Sequence, residues 1–293
     1  MQQNEPSQCY AIMTDSLVNY LTIDVEDYFQ VAAFEKLIQP STWESYPSRV
    51  VQNTTKILDI FDAYGVKGTF FVVGWTAERF PGLVQDIVER GHEIGCHSYQ
   101  HQKIYNQTPE VFRQDTKRAK DILEQTSGRA IVGYRAPTYS ITKKSLWALD
   151  ILEELGFKWD SSIFPIVHDN YGIPDAPRFA HKLPIHNLIE YPISTALFFG
   201  RKIPVAGGGY FRIFPYWFSK LALAKINKEE KQPFIFYLHP WEIDPDQPRI
   251  VSAGWKSRFR HYYNLNTTEI RLKNLLQDFR FGPITDIPVL TSA

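Results

Sequence analysis

The stretch LTIDVEDYF, residues 21–29, begins with apolar and β-branched residues and then places Asp24, Glu26 and Asp27 within four positions. A buried strand that ends in ionisable side chains is typical of parallel α/β folds, which assemble their sites where the strands end. Three like charges in so short a segment repel one another unless a cation or hydrogen bonds compensate them. The segment therefore predicts a parallel sheet with a charged site at one end.

The rest of the chain alternates short strand-like runs with longer helical segments, the pattern of βα units around a parallel sheet. The strand candidates are residues 19–24, 67–73, 92–97, 130–135, 188–193 and 233–239. Helical periodicity occupies residues 49–65, 81–91, 108–128 and 142–156, and a last helix is expected at 268–279. Residues 164–216, rich in Pro and Gly, predict loops with one strand. The fold class is therefore α/β, of the barrel type.

Length and composition restrict the class of protein. A chain of 293 residues fits one α/β barrel domain, so we expect an amino-terminal tail at 1–16 and a single domain at 17–293. With 32 Lys+Arg against 32 Asp+Glu, nucleic acid is not an expected partner. Two cysteines predict no disulfide framework. The sequence shows neither a signal peptide nor a transmembrane run, so we expect a cytoplasmic protein.

Four of the strand candidates end in chemically active side chains: Asp24, His97, Arg135 and His239. One apolar strand that ends in an ionisable group usually means only that the strand has reached solvent. Four such ends with complementary chemistry indicate a functional site, because the carboxyl ends of parallel strands meet on one face.

The segment HSYQH places His97 and His101 four residues apart, which lets two imidazoles bind one divalent ion. An isolated pair of this spacing is more often an ordinary surface feature, but the nearby carboxylates favour the metal. Two histidines and one carboxylate form a standard catalytic zinc set with an open position. Zinc is the expected ion, although nickel, cobalt or iron would also fit imidazole ligands.

The remaining carboxylate and the other two strand ends have complementary roles. A second carboxylate could accept the proton of a metal-bound water, and Arg135 could hold Asp24 ionised through a charge-assisted contact. His239, followed by a stiffening proline, could protonate a departing amine. Taken alone, each has an ordinary alternative: a surface salt bridge for Arg135 and a buried structural histidine for His239.

Five motifs in chain order, TIDVED, HSYQH, YRAP, WDSS and YLHP, resemble those of the polysaccharide deacetylases, carbohydrate esterase family four with the nodulation-protein-B homology fold. The segments DVEDYF, GGGYFR and HPWEID resemble a subgroup from bacterial exopolysaccharide loci that also encode exosortases. The resemblance spans the chain from about residue 17 into the last helix. It implies a distorted, incomplete (β/α) barrel with a carboxyl-terminal elaboration.

Carried over position by position, the resemblance implies a set of roles. These are Asp24 as catalytic base, His97 and His101 as metal ligands, Arg135 as the residue that orients the base, His239 as catalytic acid, and Asp160 as a residue that places and tunes that acid. Many family members have adjacent aspartates in the first motif, whereas Val25 here separates Asp24 from Glu26 and Asp27. Strand alternation favours Glu26 as the third ligand, and a chain already turning out of the strand favours Asp27, which we prefer for its shorter arm.

The implied activity is metal-dependent hydrolysis of N-acetyl groups on amino sugars of a bacterial polysaccharide, with an N-acetylated glycan as the partner. Two alternatives remain open: a deacylase of a small amide on the same scaffold, and an inactive glycan-binding protein. Since no export signal is seen, a lipid-linked or nascent glycan on the cytoplasmic side of the membrane is the expected substrate.

Overall fold

The structure is a computed structural model that describes residues 17–169 and 171–286. The tail expected at 1–16 and its Cys9 lie outside the described residues, whereas Cys96 is buried as a free thiol. Among the described helices, none combines the length and the apolar composition needed to cross a membrane.

The main sheet contains nine strands of the described chain. They are β1 (Val18–Val25), β2 (Thr69–Val72), β3 (Glu93–Cys96), β4 (Gly133–Tyr134), β5 (Trp159–Asp160), β6 (His181–Lys182), β7 (Ile189–Glu190), β10 (Ile235–Leu238) and β11 (Arg280–Gly282). A separate antiparallel hairpin consists of β8 (Thr195–Phe198) and β9 (Arg201–Pro204).

The strand order of the main sheet is β10-β1-β2-β3-β4-β5-β7-β6, with β11 paired to the start of β1. Every pair is parallel except that of β6 and β7. In the described part of the chain the two ends of this order, β10 and β6, do not pair with each other. The expected α/β fold, a distorted and incomplete barrel, is therefore confirmed.

Nine helices of the described residues surround the sheet. They are α1 (Val50–Ala63), α2 (Gly74–Arg79), α3 (Pro81–Glu89), α4 (Pro109–Ser127), α5 (Trp147–Glu154), α6 (Gly208–Ile213), α7 (Tyr216–Glu229), α8 (Trp255–Tyr262) and α9 (Leu265–Asp278). The five predicted helices correspond to α1, α3, α4, α5 and α9. Residues 164–216 hold four strands and α6 rather than loops with one strand, because short extended pieces there pair locally instead of following one long apolar pattern.

Local sequence explains how these elements begin and end. In α4 the Thr108 side chain accepts a hydrogen bond from the Val111 N–H, and Gly128 closes the helix in the left-handed conformation at φ 65°. Seven of the eight β1 residues are buried, as expected for a central parallel strand covered on both faces. The strand ends are thus fixed by a packed core.

A second, smaller core beside β1 joins residues that follow this strand to residues from the carboxyl-terminal part of the chain. It packs Phe29 and Trp43, which follow β1, against Trp241 and Leu265 from the carboxyl-terminal part. This contact sets the 3₁₀ helix Pro240–Ile243 next to the carboxylates that follow β1. The two sides of the candidate site meet here.

Candidate active site

The polar side chains predicted at strand ends lie at one edge of the sheet. Asp24 is near the end of β1, and His97, Arg135 and His239 directly follow β3, β4 and β10. Asp24, His97 and Arg135 are buried, whereas the His239 side chain keeps 17% of its exposure. The described structure therefore brings these four groups together in a largely desolvated site with access to solvent beside His239.

Three side chains at this edge form a group that could hold a metal ion: Glu26, His97 and His101, with one ligand atom of each within 4.8 Å of the others. His97 Nδ1 lies 2.7 Å from the backbone oxygen of Arg135, and because a carbonyl only accepts, Nδ1 carries the proton. His97 Nε2 is then free to bind a cation. Burial lowers the pKa of His97 to about 4, so the ring is neutral, as ligation requires.

The Glu26 carboxylate provides a test of whether a cation fits this group. Its Oε2 lies 2.6 Å from His101 Nε2, and among the described residues this buried oxygen accepts no hydrogen bond of regular geometry. A buried carboxylate oxygen without a donor is unfavourable. A divalent ion between Glu26 and the two imidazoles would satisfy it, and this donor set is that of catalytic zinc sites.

Asp27, preferred above as the third ligand, lies outside this group, and the observed geometry favours Glu26 instead. Its Oδ2 accepts hydrogen bonds from Ser48 Oγ at 2.6 Å and from the backbone N–H groups of Arg49 at 2.9 Å and Val50 at 3.2 Å. Those N–H groups begin α1, so the Asp27 carboxylate caps that helix. The alternation argument for Glu26 matches the observed geometry.

Asp24 is held by a buried ion pair. Its Oδ1 accepts a hydrogen bond from Arg135 Nη1 at 2.7 Å, as expected, and its Oδ2 lies 3.4 Å from the Tyr139 hydroxyl. The Arg135 guanidinium also donates to Ser161 Oγ at 2.8 Å and lies 4.0 Å from the centre of the Phe71 ring. With one oxygen fixed by Arg135, the other remains available to the site.

His239 faces Asp24 and Glu26 from the end of β10, the strand that pairs directly with β1. Its Nε2 lies 3.9 Å from Asp24 Oδ2 and 3.5 Å from Glu26 Oε1, and its Nδ1 lies 2.9 Å from Glu242 Oε2. Burial alone would lower the pKa of His239, but the three carboxylates raise it to about 9. The imidazole is therefore protonated near neutral pH and can serve as an acid.

Glu242 is held in turn by Arg212. Arg212 Nε donates to Glu242 Oε1 at 2.8 Å, and both side chains are buried. Burial opposes the charge of Glu242, but Arg212 and His239 lower its pKa to about 2. His239, Glu242 and Arg212 thus form a continuous chain of charged hydrogen bonds that fixes the imidazole from behind.

Trp241 connects the two sides of the site. Its Nε1 donates to Glu26 Oε1 at 3.2 Å, and its ring stacks on His239 with centroids 5.2 Å apart and on His261 with centroids 4.2 Å apart. The orientation of His239 is therefore set by both a carboxylate and an aromatic face.

Two protein-family models match parts of this chain. A family model described as Polysaccharide deacetylase matches residues 40–159, and one described as Domain of unknown function (DUF3473) matches residues 161–288. Residues 40–159 of this chain therefore match the polysaccharide deacetylase family. His97, His101 and Arg135 fall within the first match, and Arg212, His239 and Glu242 within the second.

Curated relatives align with part of this chain. A peptidoglycan-N-acetylglucosamine deacetylase from Bacillus cereus is 36% identical over 98 residues, which is 33% of this chain and 36% of the relative. The peptidoglycan-N-acetylglucosamine deacetylase PgdA from Listeria monocytogenes is 35% identical over 116 residues, 39% of this chain and 23% of the relative. The matched regions thus span about a third or less of the length of these two relatives.

Solved structures share the fold of this chain over most of its length. The crystal structure of a probable polysaccharide deacetylase from Pseudomonas aeruginosa PAO1 superposes with a TM-score of 0.59 at 14% identity, covering 91% of this chain and 88% of that one. A structure named as a polysaccharide deacetylase from Mycobacterium smegmatis gives 0.58 at 20% identity, covering 94% and 92%. These comparisons agree with the barrel described above.

Asp160, which the family resemblance implies as the residue that tunes the acid, does not contact His239 in the described structure. It lies on β5 opposite Glu190 of β7, and Ser162 donates to its Oδ1. Burial raises the pKa of both carboxyl groups, and the charge of Asp160 raises the pKa of Glu190 further. Asp160 therefore belongs to a buried acid pair, and the neighbour that tunes His239 is Glu242.

Several contacts of this site were not predicted: Tyr139 as a partner of Asp24, Arg212, Trp241 as a hydrogen-bond donor, and Glu242. Tyr139 has a positive φ of 51°, as His101 does at 52°, and such strained conformations cluster at functional sites. A single sequence does not display backbone strain. The spacing of Glu242 three residues after His239 resembles a capping box, and it is the one signal that could have been recognised.

The triple glycine of GGGYFR has a structural role beside β10. Gly207, at φ 127°, forms an isolated bridge with Tyr237, and a Cβ there would lie 1.9 Å from the Tyr237 backbone oxygen. The close approach that glycine permits here is therefore to a strand of the same chain. Beyond it, α6 positions Arg212 toward Glu242.

Proposed function

We propose that this chain is a metal-dependent hydrolase that removes N-acetyl groups from amino sugars of a bacterial polysaccharide or of its lipid-linked precursor. The observation that carries the proposal is the placement of Asp24 and His239 against one group of metal-ligand type, Glu26, His97 and His101. The names of the relatives, peptidoglycan-N-acetylglucosamine deacetylases, support an N-acetylated glycan as the substrate class.

Glu26, His97 and His101 would hold the ion, and zinc suits two imidazoles and one carboxylate. When bound, such an ion polarises the acetyl carbonyl and lowers the pKa of a coordinated water. Trp241 Nε1, at 3.2 Å from Glu26 Oε1, would fix the carboxylate so that Oε2 faces the imidazoles.

Asp24 is the proposed base. Its Oδ1 is bound by Arg135, so Oδ2 would accept the proton of the attacking water. The water oxygen adds to the acetyl carbon, and the bond from that carbon to the sugar nitrogen then breaks. The nitrogen leaves with the bonding electron pair and takes the proton of His239 Nε2, giving a free amine and acetate.

Glu242 would act as a positioning residue in this reaction. It binds His239 Nδ1 at 2.9 Å, which keeps the other ring nitrogen directed at the departing amine. Its own position is fixed by Arg212. A protein that only bound glycans would need neither this buried chain of charges nor the pair of Asp24 and Arg135.

For the biological setting we propose exopolysaccharide synthesis on the cytoplasmic face of the membrane. This proposal rests on the resemblance of DVEDYF, GGGYFR and HPWEID to the exosortase-linked subgroup and on the expected cytoplasmic location. Detection of the protein in the periplasm of intact cells would contradict it.

The test of the proposed function measures acetate release from N-acetylglucosamine oligomers by the full chain, before and after chelation and zinc restoration. We expect release that requires the metal, and a loss of both zinc and turnover in His97→Ala. The matched control is His181→Ala, since His181 is a partly exposed histidine outside the site. Zinc-loaded protein that releases no acetate from a panel of oligomers would overturn the proposal. Hydrolysis of small cyclic amides alone would favour the alternative, a deacylase of a small amide.

A further inference from the structure

The short helix α8 exposes apolar side chains that the core does not use. Trp255 is 75% exposed and Phe259 is 52% exposed, and Tyr263 just beyond the helix is 36% exposed. These three residues, here called the aromatic row, are spaced four apart and so lie along one side of the helix. Val251, four residues before Trp255 and outside the helix, is 74% exposed. The molecule thus presents a large apolar strip to its surroundings.

Cations flank the aromatic row on both sides. At about 100° per residue, Lys256 and Arg260 lie on one side of the row and Arg258 on the other. All three are exposed. The opposite side of α8 faces inward through the buried His261. An apolar centre bordered by basic side chains is the pattern of a helix that lies in the plane of a membrane interface.

These cations have no acidic partners in the described part of the chain. The sequence of α8, WKSRFRHY, contains no carboxylate, and Lys256, Arg258 and Arg260 take part in no ion pair among residues 17–169 and 171–286. Other helices differ, because their lysines pair with a carboxylate four residues away. The examples are Lys117 with Asp121, Lys120 with Glu124, Lys225 with Glu229 and Lys273 with Glu269. The positive charge of α8 is therefore left for an external anion.

The inner side of α8 is attached to the proposed acid of the site. His261 stacks on Trp241, which stacks on His239. Arg212 donates to the backbone oxygens of Arg260 and His261 while it binds Glu242. A ligand on the outer side of α8 would therefore be connected to His239 through the stacked rings of His261 and Trp241.

We propose that the outer side of α8 docks on the surface of an anionic lipid bilayer. Lipid phosphates would meet the three unpaired cations, and the aromatic row would enter the headgroup region, where Trp and Tyr are favoured. An acidic glycan would satisfy the cations, but it offers no apolar layer for Trp255, Phe259 and Val251. The surface is a convex helix, which suits a flat bilayer better than a single chain of sugars.

Binding of α8 to a bilayer would not depend on catalysis. The consequence of that binding for the choice of substrate rests on the proposed function. A protein held on the bilayer through α8 would keep its site close to the surface, where a lipid-linked glycan is presented. Binding to vesicles and acetate release from soluble oligomers can therefore be measured separately on the same protein.

The test measures partition of the full chain onto vesicles of phosphatidylglycerol mixed with phosphatidylcholine and onto vesicles of phosphatidylcholine alone. We expect binding to the anionic vesicles that weakens as salt is raised. Replacing Lys256, Arg258 and Arg260 together by glutamine should lower the partition coefficient roughly a hundredfold. Trp255→Ser with Phe259→Ser should also lower it, and the wild-type tryptophan fluorescence should shift to shorter wavelength on binding.

The matched control replaces Lys144, Lys158 and Lys182 by glutamine, since these exposed lysines form no ion pair in the described residues. It should bind vesicles as the wild type does, and all variants should keep the wild-type Tm and acetate release from soluble oligomers. Equal vesicle binding by the α8 variant and the wild type would overturn the proposal. So would binding to a soluble acidic polysaccharide without binding to anionic vesicles.

Discussion

The two sides of the candidate site are held by different kinds of structure. On the metal side, Asp24, Glu26 and His97 lie at or just after strand ends whose positions are set by the parallel register through β2. On the acid side, His239 also follows a strand, but its orientation comes from Glu242 and Arg212, which lie on a 3₁₀ helix and on α6. Backbone register places the first set, and side-chain contacts between distant segments place the second.

This difference indicates how each side should respond to substitution. A residue positioned by strand register keeps its place when a neighbour changes, so its removal mainly deletes its own chemistry. A residue positioned by a chain of charged contacts changes its protonation and orientation when any member of the chain is altered. The predictions below use this contrast.

The largest effect is expected from Asp24→Asn on the metal side. Loss of the base should lower kcat by roughly 10³- to 10⁴-fold with the zinc content unchanged, because Asp24 is not one of the proposed ligands. Since Arg135 loses a buried carboxylate, the free energy of unfolding should also fall, by up to roughly 3 kcal/mol. Acetate release and zinc analysis below the lowered Tm would check this, with Asp150→Asn as an exposed control. A kcat near that of the wild type would exclude Asp24 as the base.

The adjacent carboxylates Glu26 and Asp27 provide a matched pair within the metal side. Glu26→Gln should weaken zinc binding by more than a hundredfold, since even neighbours of metal ligands typically contribute ten- to hundredfold. Asp27→Asn should retain zinc but lose part of the cap on α1, which lowers stability by about 1–2 kcal/mol. Zinc titration and thermal unfolding of both variants separate the two roles. Zinc loss in Asp27→Asn alone would restore Asp27 as the ligand.

The contrast between the two sides also explains what could be predicted from sequence. Asp24, His97, Arg135 and His239 were found because apolar runs that end in ionisable residues reveal strand ends. The preference for Asp27 over Glu26 does not match the geometry of the site, because it depended on where the chain turns after Val25, which periodicity does not show. The helix α7 was missed because its apolar residues do not form one clear stripe.

The acid side was predicted only at His239 itself. Its partners come from segments near residues 212, 242 and 261, which meet only after the carboxyl-terminal part packs against β10 and β1. The role implied for Asp160 was assigned from the order of the motifs in the sequence, whereas in the fold this residue lies opposite Glu190. Contacts between side chains of high sequence separation depend on tertiary packing, and a single sequence does not encode them in any local pattern.

On the acid side, Glu242→Gln should reduce kcat by ten- to a hundredfold and change the pH profile. The carboxylate helps to raise the pKa of His239, so its neutralisation should lower that pKa and move the basic limb of the kcat profile to lower pH. Zinc binding should be unaffected. The control is Asp246→Asn, an exposed carboxylate on the same segment. A reduced kcat with an unchanged pH profile would mean that Glu242 acts on packing alone.

The smallest effect on activity, and a distinct effect on stability, is expected from Glu190→Gln. Burial raises the folded-state pKa of Asp160 and Glu190 above that of an unfolded carboxyl, so the stability they contribute is complete below about pH 4 and is lost as the pH rises through the folded values. The glutamine Nε2 can donate to Asp160 as a protonated Glu190 would. Thus the variant should match the wild type at pH 5 or below and exceed it at pH 8.

Unfolding by denaturant at the two pH values measures this difference. For one proton, the gain should approach about 1.4 kcal/mol for each pH unit crossed within the titration window. Glu89→Gln, an exposed control, should show the same stability relative to the wild type at both pH values. A Glu190→Gln variant whose stability differs from the wild type equally at pH 5 and pH 8 would show that the two carboxyls do not share a proton.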